Sequence, residues 1–175
     1  PDSWESQPSV SANGDVLYYT SNRAGGLGGL DLWSSKRLPN GEWEEPKNLG
    51  NVTNTAKNEK SPFIHSDSQT LYFASDGHPN LGGYDIFYSK FDEDVTAWTE
   101  PVNIGYPINT ETDENAMTVS YDGKTAFLSS NRAGGLGGLD LYSFDLPENL
   151  QPKKTTYIKA IVKDAKSKQL LNATY

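Results

Sequence analysis

Three aspartates, Asp31, Asp85 and Asp140, stand 54 and 55 residues apart, each closing a Gly-Gly-x-Asp step. Carboxylates repeated at one phase can ligate Ca²⁺ or accept hydrogen bonds from the loop ahead of them. A Ca²⁺ site gathers about six to eight oxygens around one point. One carboxylate per repeat does not gather, so the spacing predicts side chains that hold loop amides. Arg23 and Arg132 lie in identical loops, while Gly77 and His78 fill the equivalent stretch of the middle unit. A repeat that dispenses with the arginine does not need it to fold, which points to partner contact. His65 and His78 are the only histidines. Neither has a second ligand at metal spacing, so both are expected to be ordinary surface or turn residues. The chain has no cysteine, hence no disulfide, thiolate metal site or cysteine nucleophile. No Gly-x-Ser-x-Gly elbow or His-Glu-x-x-His is present. Ser120-Tyr121-Asp122-Gly123-Lys124-Thr125 approaches a sialidase-type Asp-box but lacks the residue between Asp and Gly. Glycoside chemistry needs two carboxylates at a defined separation, and the sequence singles out no pair. No catalytic residue, metal site or cofactor site is assigned.

The elements that position these residues are set by an internal repeat. SNRAGGLGGLDL at 21–32 recurs unchanged at 130–141, and SDGHPNLGGYDI at 75–86 has the same length and ending. Trp43-Glu44-Glu45-Pro46-Lys47-Asn48-Leu49-Gly50 aligns with Trp98-Thr99-Glu100-Pro101-Val102-Asn103-Ile104-Gly105. Each unit holds four short strand candidates, in the first at 7–11, 16–21, 30–36 and around 46–50, with Asn13-Gly14 and Asp122-Gly123 marking tight turns. No helical periodicity is present. The expectation is an all-β chain of four-stranded antiparallel units with a period of 54–55, the signature of β-propeller blades. Trp33, Phe87 and Tyr142 share one repeat position, Trp43 and Trp98 another, and are expected to pack between units.

In such an up-and-down unit the loop after the second strand and the link to the next unit must share one end. That face collects the repeated polar residues Asn22, Arg23, Asn54, Asn58, Glu59, Asp76, Asn109, Asp113, Glu114, Asn131 and Arg132, the candidates for partner binding. The glycine loops open onto strands, not onto a helix N-terminus, which excludes a phosphate cradle of the usual kind. Positive φ at several glycines is the expected reason for them.

The chain of 175 residues carries 15 basic and 23 acidic side chains, net −8. That balance argues against a nucleic-acid backbone binder, and no apolar run is long enough to span a membrane. The charge is uneven: beyond Glu148 the only acid is Asp164, against Lys153, Lys154, Lys159, Lys163, Lys166 and Lys168. This shift beside a Pro-containing stretch marks a boundary. The division expected is a partial propeller at 1–148 (units 5–58, 59–113 and 114–148), a linker at 149–156, and the start of a second β domain at 157–175.

The in-phase motifs [NDS]-x-E-x-x-P, LYF[AS]S[ND], GGLGGLDL and W-x-x-P-x-N-L-G resemble TolB-type, WD-like propeller repeats. The version is similar to that of OmpA-family envelope proteins of the Bacteroidota, PorE-like in architecture. Met117 departs from the pattern where Pro8 and Pro62 stand. The tail at 157–165 and 170–175 resembles the opening strands of a carboxypeptidase-regulatory-like sandwich, with Ala160 where a glycine is expected. The resemblance implies a non-enzymatic scaffold, periplasmic and outer-membrane associated, in some relatives part of type IX secretion. It implies a PorP-type outer-membrane barrel as partner, and peptidoglycan bound through an OmpA-like domain absent from this sequence. The rival classes are a carbohydrate- or peptidoglycan-binding propeller and a propeller glycoside hydrolase. Only three units fit and the third has no Trp-x-x-Pro-x-Asn-Leu-Gly strand, so further blades upstream, with a strand completing the last blade, are expected.

Overall fold

The computed structural model describes residues 3–156 and 161–171. Each repeat folds into one antiparallel sheet. In sheet one, β1 (Glu5–Val10), β2 (Val16–Ser21), β3 (Asp31–Lys36) and β4 (Lys47–Asn48) lie in that order. Sheet two runs β5 (Glu59–Ile64), β6 (Thr70–Ser75) and β7 (Asp85–Asp92), with β8 (Ala97–Trp98) and β9 (Val102–Asn103) both against β7. Among the described residues, sheet three has three strands, β10 (Glu114–Val119), β11 (Thr125–Ser130) and β12 (Asp140–Asp145). A single 3₁₀ turn, Glu148–Leu150, follows. The expected all-β, repeat-by-repeat architecture is what forms. The fourth strand is shorter than its motif because Pro46 has no N–H to give a ladder and Gly50, at φ +85°, turns the chain away. The strands expected in the tail fall partly on 157–160 and 172–175, outside the described residues. Within the described part, Lys163 and Leu170 form one antiparallel bridge.

The strands form where aromatic and β-branched residues cluster between turn signals. Gly14 and Gly123 take φ of +79° and +75° at the first hairpin turns of sheets one and three, and Ser68, at +56°, does the same in sheet two. The middle strand β6, TLYFAS, is buried at every position because its sheet is covered on both sides. Leu71, Phe73 and Phe87 face Tyr18 and Leu32 of sheet one. Tyr72, Ala74 and Ile86 face Met117, Val119, Ala126 and Leu128 of sheet three. Each large apolar side chain so buried stabilises the stack by about 1.5–3 kcal/mol. Of the repeated aromatics, Phe87 and Trp98 pack between sheets as expected, Trp98 meeting Tyr18 edge-on at 6.0 Å. Trp43 remains 41% exposed.

The first strands are tied to one another by side chains. Gln7 accepts from the Ser61 amide (2.9 Å) and Ser9 from the Ile64 amide (3.0 Å). Lys60 donates to Asn115 at 2.6 Å with its ammonium 3.5 Å from the Tyr84 ring centre. A second tie overturns one expectation: His65 is not at the surface but 1% exposed. Its Nε2 lies 3.1 Å from the Ser120 carbonyl in the matching turn of sheet three, and its Nδ1 accepts from the Asp67 amide. Asp67 takes the turn position of Asn13 and Asp122, but its carboxylate accepts from the Gln69 and Thr70 amides, the Thr70 hydroxyl and the Lys153 amide. Burial works to raise its pKa; the neighbouring His65 ring and the bonds from Gln69 and Thr70 outweigh it and hold the carboxyl well below the usual range.

A depressed native pKa contributes stability that is complete above the unfolded value, about pH 4, and is lost as pH falls through the native one. Asp67→Asn is therefore expected to cost about 2 kcal/mol at neutral pH. The gap in thermal midpoint to the parent protein should narrow steadily below about pH 4 and be smallest near about pH 2. Circular-dichroism melts across this range check it, and an equal gap at neutral and acid pH contradicts it.

Candidate functional site

The polar residues that mark the repeat converge where the glycine loop of one sheet meets the link to the next. The link does the work of an extra strand. Asn54 accepts from the Leu32 amide (2.8 Å) and donates to the Leu32 carbonyl (3.0 Å) and to Asn48 (2.9 Å). Asn109 repeats this on Ile86 and Asn103 at 2.9, 2.8 and 2.7 Å. Both asparagines are buried. Glu59 accepts from the Thr55 amide and hydroxyl and from Ser75, while Glu114 accepts from Thr110 twice and from Ser130. Burial pushes the Glu59 carboxyl above the ordinary carboxylate range, against the pull of those donors.

Asn58 and Asp113 occupy one position and do one job. Their side-chain oxygens accept from the Leu30 and Tyr84 amides at 3.1 and 2.9 Å. The Leu30 and Tyr84 carbonyls in turn accept from the Glu59 and Glu114 amides, both at 2.7 Å. Asn22, Asp76 and Asn131 form another set, accepting from the amides of Trp4, Asn58 and Asp113. Both links and the three glycine loops of the candidate face are thus gathered as expected, but Asn54, Glu59, Asn109 and Glu114 are enclosed and spent on the chain itself. Only Asn22 and Asn131 of the set are exposed, with Arg23, Asn58, Asp76, Asp113 and Arg132 half-buried.

The arginines are also part of this network. Arg132 donates to the Ile108 carbonyl (2.6 Å), the Pro107 carbonyl (3.2 Å) and Glu114 (3.3 Å), with its guanidinium 5.0 Å from the Tyr142 ring centre. Arg23 pairs with Glu5 at 3.0 Å over Tyr19 and Trp33. Sheet two has not dispensed with the group. His78, one position along, places Nε2 2.8 Å from the Thr53 carbonyl, the counterpart of Ile108, and packs 5.2 Å from Phe87. A cationic or N–H-bearing planar side chain over the third-strand aromatic is therefore a feature of all three repeats.

The aspartates hold loop amides, as their phase predicted. Asp31 accepts from Leu27, Gly28 and Asn48, Asp85 from Leu81 and Asn103, and Asp140 from Leu136 and Gly137. The glycines serve the expected end in part. Positive φ occurs at Gly25 and Gly134, but Gly28 and Gly82 are needed for closeness, because a Cβ there would run into the Lys57 carbonyl and the Glu111 backbone of the link. What the sequence did not single out is the leucine bonded by each aspartate. Leu27, Leu81 and Leu136 are 49%, 54% and 101% exposed, one at each loop tip. Their regular phase was the available signal. Among the described residues no three His, Asp or Glu side chains group to hold a metal ion, and no helix is long and apolar enough to cross a membrane.

No protein-family model matches this chain, and no curated protein matches it. Solved structures do. The chain is similar to TolB from Acinetobacter baumannii with a TM-score of 0.53 and 16% identity, over 79% of this chain and 29% of that one. It is similar to an α-L-arabinofuranosidase from Lactobacillus brevis with a TM-score of 0.57 and 16% identity, over 86% of this chain and 52% of that one. The chain has the β-propeller fold. At this identity the likeness concerns the fold alone, and the three blades span about a third and about half of those two chains.

Because Asn109 both accepts and donates in a buried site, Asn109→Asp, which cannot donate, is expected to cost about 3 kcal/mol or more. Exposed Asn131→Ala should cost under about 1 kcal/mol. Urea denaturation of the two variants checks the contrast, and equal losses would show that the buried asparagine does not clamp the blades.

Proposed function

We propose that this chain forms blades of a non-enzymatic propeller that binds a protein partner through the face made by its glycine loops. The observation that carries this is the row of loop-tip leucines. A leucine side chain left in water forgoes about 1.5–3 kcal/mol of burial, and here three equivalent ones are each held outward by an aspartate bonded to their own amide. Regularly phased apolar tips, with exposed Asn22, Lys57, Glu111 and Asn131 in the same loops and links, have the anatomy of an interface core with a polar rim. Of the carboxylates at this face, Asp31, Asp85, Asp140, Glu59 and Glu114 are committed to loop and link groups while Glu111 is exposed, which weighs against the glycosidase reading. A hydrolase of that class needs a free pair flanking substrate.

The resemblance to OmpA-family envelope proteins supports the finer statement. On that reading the chain is a periplasmic, outer-membrane-associated scaffold, a type IX secretion or related envelope component. Its partner is a PorP-type barrel, and peptidoglycan attachment comes from a domain outside these residues. Residues 157–175 then open a carboxypeptidase-regulatory-like sandwich.

Replacing Leu27, Leu81 and Leu136 together by serine leaves the aspartate–amide bonds in place and should preserve the circular-dichroism spectrum and melting point. Affinity capture from detergent-solubilised envelopes is expected to lose the bound protein at least about tenfold. Undiminished capture by the folded triple variant would remove the loop tips from the interface.

A further inference from the structure

Blade two departs from its neighbours at one pair of positions. Where blade one has Ser6 and Leu30 and blade three has Asn115 and Leu139, blade two has Lys60 and Tyr84. The first strands of the three sheets, β1, β5 and β10, are tied together at this level by side chains. Lys60 is half-buried, its ammonium 3.5 Å from the Tyr84 ring centre and 2.6 Å from Asn115 Oδ1. Among the described residues it forms no ion pair. The carboxylates whose field reaches it, Asp113 and Asp76, are bonded to the Tyr84 amide and to Asn58. Burial pushes the ammonium below the usual lysine range, and the two aspartates act against that push without reversing it. Taking a cation out of water without a counter-ion lowers stability, and β1 and β10 form with no charge at the equivalent position. The lysine is a cost to the fold, not a requirement of it.

The groups beside it are turned so that donors are left over. An ammonium and a backbone amide can only donate, which fixes two carboxamides with their oxygens on the chain itself. Asn115 Oδ1 accepts from Lys60, and Gln7 Oε1 accepts from the Ser61 amide (2.9 Å) and the Thr20 hydroxyl (3.1 Å). Their nitrogens, Asn115 Nδ2 and Gln7 Nε2, have no acceptor among the described residues, and Asn115 is half-buried while Gln7 is exposed. Because Asn115 Nδ2 shares a carboxamide with the oxygen that Lys60 bonds, the ammonium and these N–H groups stand side by side.

We propose that Lys60 and Asn115, with Gln7 at the rim, form a binding site for a single carboxylate group of a ligand. One carboxylate oxygen accepts from Lys60 Nζ and the other from Asn115 Nδ2, a charge-assisted pair of bonds. The Tyr84 ring holds the ammonium in place from its other side. A monoanion suits the site better than a phosphate dianion, since Asp113 and Asp76 repel the second charge. The inference stands on the Lys60–Asn115 geometry and is independent of the partner proposed for the leucine tips.

The test follows the ¹⁵N-labelled full chain by NMR at constant pH and ionic strength, with the Asn115 side-chain amide as a direct reporter. N-acetylglycine stands for a peptide C-terminus and glucuronate for an acidic sugar, each titrated to about 50 mM to cover a millimolar affinity. Saturable shifts of the Asn115 side-chain signal and of the Lys60 and Ser61 amides are expected with at least one of the two, and that one names the source of the carboxylate. N-acetylglycinamide, the same molecule without the charge, should cause none. This control leaves the protein untouched, so misfolding cannot mimic it. Lys60→Met, which keeps the stem and removes the charge, should bind at least about tenfold more weakly. No saturation with either acid, equal shifts with N-acetylglycinamide, tighter binding of inorganic phosphate, or undiminished binding by folded Lys60→Met overturns the proposal.

Discussion

The blades hold together through an asparagine side chain that completes a sheet where no strand is present. Beyond a two-residue fourth strand, the Leu32 and Ile86 amides would face a sealed interior unpaired, and their carbonyls would keep only the Leu49 and Ile104 amides as partners. Leaving such groups unpaired costs about 1–3 kcal/mol each. Asn54 and Asn109 meet both with one primary amide, donor and acceptor together. Because each asparagine belongs to the link into the next blade, pairing it also fixes where that blade begins. The apolar stack of Leu71, Phe73 and Phe87 on Tyr18 and Leu32 can then close.

The same constraint shapes the loop face. The link must pass close to the loop to reach the third strand, so the loop is glycine where the two touch. Its bare amides are gathered by Asp31, Asp85 and Asp140, which stiffen it and turn the intervening leucine outward. Planar cationic or imidazole side chains, Arg23, His78 and Arg132, close the other side of the joint by sitting on the third-strand aromatic. Loop tips so rigid lose little conformational freedom on binding, which favours recognition by preorganisation.

Much of this was legible in the residues and some was not, for a physical reason. Asp31 and its counterparts act on amides three and four residues away, so their phase within the motif was enough. Asn54 bonds Leu32, far back in the chain, and its burial arises only when the following blade is in place. On sequence it looks like any polar loop residue. The exchange of arginine for His78 was hidden because the ring reaches the equivalent carbonyl from one position further on. His65 was misplaced because its partner, the Ser120 carbonyl, belongs to the next blade. The exposure of Leu27, Leu81 and Leu136 runs against their type, and only the aspartate–amide bond explains it.

Native-state hydrogen exchange tests the central claim directly, since it reads one amide at a time. Leu32, Ile86 and Leu141 occupy the same position in three blades, and among the described residues the first two are bonded to asparagine while the third is not. The account predicts that the Leu32 and Ile86 amides exchange as slowly as the β6 core and the Leu141 amide exchanges rapidly. Equal protection at all three, or rapid exchange at Leu32 and Ile86, would contradict the claim that the link asparagines hold the blades together.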